Sequence, residues 1–409
     1  MREADNYAVR VLEPLRGEPE GPARIDVRRA MRDGRRRRRM RWAGTVAAAV
    51  VTVGAVGAGT AFVVAGRGDH AGPATTPTTK RPSAKPPTLD CKVAELPTDG
   101  YAKALVTAGD PSGHYLAGRL YEPGSSAKGK KVSDLKIVVW KDGRIVDRPN
   151  LPGSEAEIEG INASGDGFGD AYAYRGGAVT ELRGDRADAF SINSAGVIVG
   201  AVGPDDASSP VRWTSPDAEP DKLPVPAGAH GHALGIDDDG SIVGVLRIGK
   251  RETGYLWPAK GEPRAMTQPV LANADKEREA LLPKPTGTYF RPQTAANGKV
   301  VGSIESGEND YSGGPTVLYD IKTNTYLGLQ VMARDVRISD DGRVFGRAGE
   351  IGMEYPVMEV GGRTIKLPTG GAKEVVPVSL SSDGKVAAGY SSGSKNGKVV
   401  NRPLWWRCK

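Results

Sequence analysis

One alternation of apolar and polar positions recurs along most of the chain. An apolar residue leads into a polar turn, a glycine follows, then an apolar pair and a second glycine. The clearest copy is Ser191-Ile-Asn-Ser-Ala-Gly-Val-Ile-Val-Gly200. Others run from Gly235 to Gly244, Arg337 to Gly346 and Ser379 to Gly389, with looser copies around Gly113 and Gly118, Gly165 and Gly169, and Gly298 and Gly302. The seven first glycines are spaced by 52, 31, 44, 58, 44 and 42 residues. Short strands joined by glycine turns at a period in the forties predict one four-stranded unit per repeat. The expected fold is therefore an all-β, seven-bladed β-propeller.

Residues 187–226 show one unit. Ala187 to Asn193 predicts an inner strand and Ser194-Ala-Gly196 a hairpin turn, where glycine takes positive φ without steric cost. Val197 to Val202, Pro210 to Trp213 and Asp221 to Val225 predict the next three strands. Third strands elsewhere carry Trp140, Trp257, Tyr319, Met358 and Trp406, which read as packing between blades. The repeat at Gly165 has only 31 residues before the next first glycine. Six blades plus an irregular hairpin is the alternative there.

The last repeat stops after its third strand, at Trp406-Arg-Cys-Lys409. Cys91-Lys-Val-Ala-Glu-Leu-Pro-Thr98 resembles the fourth-strand phrase Ile365-Lys-Leu-Pro-Thr369. The first strand in sequence is thus expected to complete the final blade. Aligning Leu96 on Leu367 puts Cys91 at Gly362, and aligning Pro403 on Pro356 puts Cys408 at Gly361. Those glycines are neighbours in one turn, so Cys91 and Cys408 are expected to form a disulfide in place of a covalent hairpin.

Ala189-Phe-Ser-Ile-Asn-Ser-Ala-Gly-Val-Ile-Val-Gly200, followed by Val211-Arg-Trp213, resembles the HAF-type repeat of secreted and surface bacterial proteins. The resemblance covers residues 91–409 in phrases. Ile-Asn is kept only at Ile161-Asn162 and Ile192-Asn193, and the family's third-strand histidine is absent. It implies a β-propeller-like ectodomain and carries over no catalytic residues.

Charge divides the chain further. Residues 1–41 hold thirteen Arg and seven acidic residues, a charge of +6 out of +7 for all 409 residues. The repeat region is nearly neutral, which argues against nucleic-acid binding by a basic face. Residues 42–66 carry no charge and, as a helix of roughly 37 Å, reach across a ~30 Å hydrocarbon core. Arg35 to Arg39 and Arg41 precede this run, so the expected topology is a single-pass bacterial cell-membrane protein with a cytoplasmic N-terminus and an extracellular propeller. Residues 67–90 form a Pro/Thr-rich linker that cannot bury a core.

Neither H-E-x-x-H nor a P-loop occurs in the sequence. His230-Gly-His232 offers two metal ligands and no assignable third. Asp237-Asp-Asp-Gly240 occupies the place of Asn193-Ser-Ala-Gly196, so it reads as a turn rather than a calcium loop. No cofactor or metal is expected. The long loops at 121–133, 271–291, 305–314 and 391–401 all fall on the face that also carries the blade connections. Tyr121, Tyr289, Arg291 and Tyr311 are the candidate binding residues there, because exposed aromatics and Arg dominate recognition surfaces. The expected function is a binding module at the cell surface, with an extracellular protein or a cell-wall glycan as partner. A sensor signalling to the tail, and a hydrolase or lyase using acids on the same face, are the alternatives.

Overall fold

The structure is a computed structural model that describes residues 89–121, 135–153, 156–249, 251–266, 288–306, 316–329, 331, 336–349, 354–360, 363–395 and 398–409. The Arg-rich tail, the uncharged run 42–66, most of the linker, Tyr311 and the segments 122–134, 267–287 and 307–315 lie outside the described residues. Among those described, no helix is long and apolar enough to cross a membrane.

Seven four-stranded antiparallel sheets form the ring. Blades 1 to 6 run from Lys103 to Asp147, Gly160 to Glu181, Asp188 to Lys222, Ala229 to Ala265, Thr288 to Gly328 and Arg337 to Lys366. Blade 7 combines three strands between Glu374 and Cys408 with Cys91–Glu95 as its outer strand. The short second repeat is a complete sheet, so the six-blade alternative is excluded. Its strands are only two to four residues long, which is how it fits its short period.

Cys91 lies opposite Cys408 in the closing ladder, and the two form a disulfide with Cα atoms 4.0 Å apart. Leu96 N–H donates to Pro403 O at 3.0 Å and Leu367 N–H to Pro356 O at 2.9 Å, so the closing strand repeats the geometry of blade 6.

The hydrophobic cores lie between blades. One cluster joins blade 2 to blade 3 through Phe168, Ala173, Leu182, Ala189, Ile198 and Trp213, and each other neighbouring pair has its own. A leucine just past the outer strand plugs most of them: Leu96, Leu151, Leu182, Leu223, Leu329 and Leu367 are all buried. This shortens the expected fourth strands. Blade 3 ends at Lys222 rather than Val225, because Leu223 turns inward while its N–H still bonds Pro210 O.

The third-strand aromatics are packing residues with a second task. Trp140, Trp213, Trp257 and Trp406 donate their indole N–H to Pro97, Arg183, Pro224 and Pro368 carbonyls at 2.7–2.9 Å, each in the connection entering that blade. In blade 2, the Tyr174 hydroxyl donates instead to the side-chain carboxylate of Asp147, at the end of blade 1's outer strand.

The second glycine of the phrase has a steric cause. A bulge between Ala189 and Ser191 presses the Asp188 carbonyl onto Gly200, where a Cβ would lie 2.0 Å from that oxygen. The same approach recurs at Gly118, Gly244, Gly302 and Gly389.

The glycine turns collect on one face, here the turn face. Asn193 takes the Val197 N–H on its own Oδ1 and donates Nδ2 to Asp237 O in the next blade. Asn162 bonds Asn193 O in the same way, Gly298 N–H reaches Asp237 Oδ2, Asn297 reaches Asp340 O, and Ser382 N–H reaches Pro111 O. The turns are therefore chained blade to blade, and Asp237-Asp-Asp-Gly240 is one of them, with Gly240 at φ 89°. Inside the ring the inner strands of all seven blades surround a channel with about 210 Å³ of space open to water.

Candidate functional site

The opposite face, the loop face, carries the loops between second and third strands and the connections between blades. At the junction of blades 4 and 5, cross-strand register assembles a polar cluster on it. Arg247 faces Glu252 across the second and third strands of blade 4. Tyr289 faces Glu305 and Arg291 faces Ser303 across the first two strands of blade 5. The Tyr289 hydroxyl crosses the gap between blades and donates to Glu252 Oε2 at 2.5 Å, with Glu305 Oε2 at 3.3 Å. Arg247 Nε donates to Glu252 Oε1 at 3.2 Å, and Ser303 Oγ to Glu305 Oε1 at 3.0 Å. Arg291 Nε stands 3.9 Å from Glu305 Oε1.

The electrostatics fix the protons in this cluster. Burial pushes the Tyr289 hydroxyl well above the ordinary phenol value, and its bond to Glu252 adds to that. Burial also raises Glu252, but the Tyr289 hydroxyl and Arg247 outweigh it and hold this carboxyl below its usual range. At neutral pH Tyr289 is a fixed donor and Glu252 a fixed anion. Such a pair holds the groups around it in fixed orientation.

Of the sequence-predicted residues, Tyr289 and Arg291 come together here. Both belong to the inner strand Thr288–Ala296 rather than to a loop, and Tyr289 is buried, with 7% of its surface exposed. The strand starts earlier than the loop assignment allowed, because Phe290 faces the core between blades 4 and 5 and pins the backbone there. Tyr121 ends the second strand of blade 1, three blades away round the ring. Lys103 sits over its ring at 4.1 Å, and the buried Arg119 reaches its hydroxyl at 3.3 Å while pairing with Glu157 at 2.7 Å. The structure does not bring Tyr121 to the Tyr289 cluster, and Tyr311 lies outside the described residues.

Arg247, Glu252 and Glu305 were not legible as site residues, since only strand register places them. The usable signal was length. Twenty-two residues separate Ala265 from Thr288, whereas six separate Lys222 from Ala229. Long connections in a compact domain are usually functional.

His232 contacts Ser208 at 3.3 Å and Phe190 edge-on. Among the described residues no group of three or more His, Cys, Asp or Glu could hold a metal ion.

No family model and no curated protein matches the chain. Solved structures do. The β-propeller domain of the Trilobed protease from Pyrococcus furiosus, described as having an open velcro topology, is 14% identical with a TM-score of 0.44, covering 75% of this chain and 97% of its own. YCF48 bound to D1 peptide is 14% identical with a TM-score of 0.41, over 78% and 94%. TolB from Acinetobacter baumannii is 12% identical with a TM-score of 0.37, over 77% and 96%. All three are propellers at low similarity, and the likeness stops at the fold.

Proposed function

We propose that the chain is a single-pass, membrane-anchored protein whose propeller binds an extracellular protein or a cell-wall glycan through its loop face. The supporting observation is the Tyr289–Glu252–Glu305 cluster with Arg247 and Arg291, set on a rigid junction of two blades and flanked by the longest connection in the ring. Its donors and acceptors are preorganised and ionically fixed, which suits recognition. The anchor reading comes from the uncharged run 42–66 behind its Arg cluster. The closing strand adds geometry: Cys91 stands on the turn face, so the chain enters the propeller opposite the loop face.

A hydrolytic reading draws on the same convergence of Glu252 and Glu305 on one hydroxyl. That reading needs another group as the general acid, because Glu252 is held ionised and paired with Arg247 and has no proton to donate. Photo-crosslinking amino acids placed at positions 247 and 291, and at 212 on the outer part of blade 3, test the binding reading on intact cells. Adducts at 247 and 291 but not at 212 are expected; none at either loop-face position would refute it.

A further inference from the structure

A groove of about 280 Å³ lies on the outer part of blade 7, lined by Asp90, Lys92, Ala94, Trp405, Arg407 and Lys409. Lys92 and Arg407 are direct cross-strand partners in the closing ladder. Like charges in that position repel each other, and Asp90, the one carboxylate among the groove's lining residues, offsets only one of the three cations Lys92, Arg407 and Lys409. Arg407 stacks over Trp405 at 4.1 Å, and Lys92, Arg407 and Lys409 are all exposed. Tryptophan beside Lys and Arg is the composition of a membrane–water interface. The groove also sits where the chain enters the propeller, and residues 67–88 separate it from the uncharged run 42–66.

We infer that this corner of blade 7 docks on the anionic lipid headgroups of the chain's own membrane, an inference that rests on the anchor reading above. The rest of the turn face limits the contact to the corner. Asp142, Asp341 and Asp383 are paired with His114, Arg343 and Lys385, and Asp238 and Asp340 lie toward the channel. Pairing leaves the first three with little net charge and the last two stand toward the channel, so the contact is confined to the cations of the corner.

The full chain in lipid nanodiscs gives the test. Discs of phosphatidylcholine alone are compared with discs that also contain phosphatidylglycerol. Acetylation rates of Lys92 and Lys409 are read by mass spectrometry, with Lys222 of blade 3 as internal reference. Protection of Lys92 and Lys409 by about fivefold or more, only with phosphatidylglycerol, is expected from the attraction of each cation to an anionic surface. Equal rates in both discs overturn the inference. Protection by inorganic phosphate alone also overturns it, in favour of a soluble anion. A variant combining Lys92→Gln and Arg407→Gln should lose the lipid dependence at Lys409 while keeping its disulfide and unfolding midpoint. Co-elution of the chain with the discs reports separately on the anchor, so a failed anchor and a failed docking surface give different results.

Discussion

Cutting the Cys91–Cys408 bond is the sharpest perturbation of the ring. The two residues are 317 apart in sequence, and their bond fastens the strand that completes blade 7. In the chain-entropy model a loop this long contributes roughly 6 kcal/mol at 25 °C. Typical domain stabilities are about 5–15 kcal/mol, so this is a large share. The ring should still close without it, because the ladder from Lys92 to Glu95 persists and the Leu96 N–H keeps its bond to Pro403. With a guanidinium slope near 6 kcal/mol per molar, the Cys408→Ser midpoint should fall by roughly 1 M. Hydrogen exchange adds a spatial readout: amides of Lys92 to Glu95 should exchange faster in the variant before those of blades 2 to 5. Identical midpoints and unchanged exchange in this strand would refute the assigned role of the bond.

Other substitutions probe the scaffold and the cluster. Gly200→Ala puts a Cβ 2.0 Å from the Asp188 carbonyl, and a thermal melt should show a loss of about 3 kcal/mol or more. Asn193→Ala removes a buried side chain bonded both to its own turn and to blade 4, and should cost about 2 kcal/mol by denaturant unfolding. Trp213→Phe leaves the Arg183 carbonyl without its indole donor, and about 1–3 kcal/mol should be lost by the same measurement. Because the folded-state pKa of Glu252 lies below its ordinary value of 4.5, its stabilising effect is complete above that value and is lost as pH falls through the lowered one. Unfolding midpoints measured between neutral and acid pH should therefore fall more steeply for the wild type than for Glu252→Gln.

The architecture was legible in the sequence because most blades repeat the same physical constraints. The first glycine turns a hairpin, the second lies under a bulge carbonyl, and the Leu-Pro phrase plugs the next core. Even the closure could be read, since Leu96 and Pro403 stand in the same hydrogen bond as Leu367 and Pro356. What stayed hidden depends on contacts between repeats. Glu252 meets Tyr289 only because two blades pack side by side, and neither residue belongs to the repeated phrase. Tyr289 read as a loop residue because the long connection before it masks where the strand begins; Phe290, buried between two blades, sets that point. Blade 2 looked incomplete because its strands are at the lower limit of length, yet Phe168 and Tyr174 still give it a core on each side.

The central claim is that a propeller displayed outside the membrane binds through its loop face. Crosslinking with a membrane-impermeant, amine-reactive reagent on intact cells, followed by mass spectrometry, tests it most directly. The account predicts propeller peptides joined to an external protein or wall component, with Lys103 on the loop face among the reacting residues. A chain that reacts only after lysis, or whose crosslinks run solely from turn-face residues such as Lys385, would contradict it.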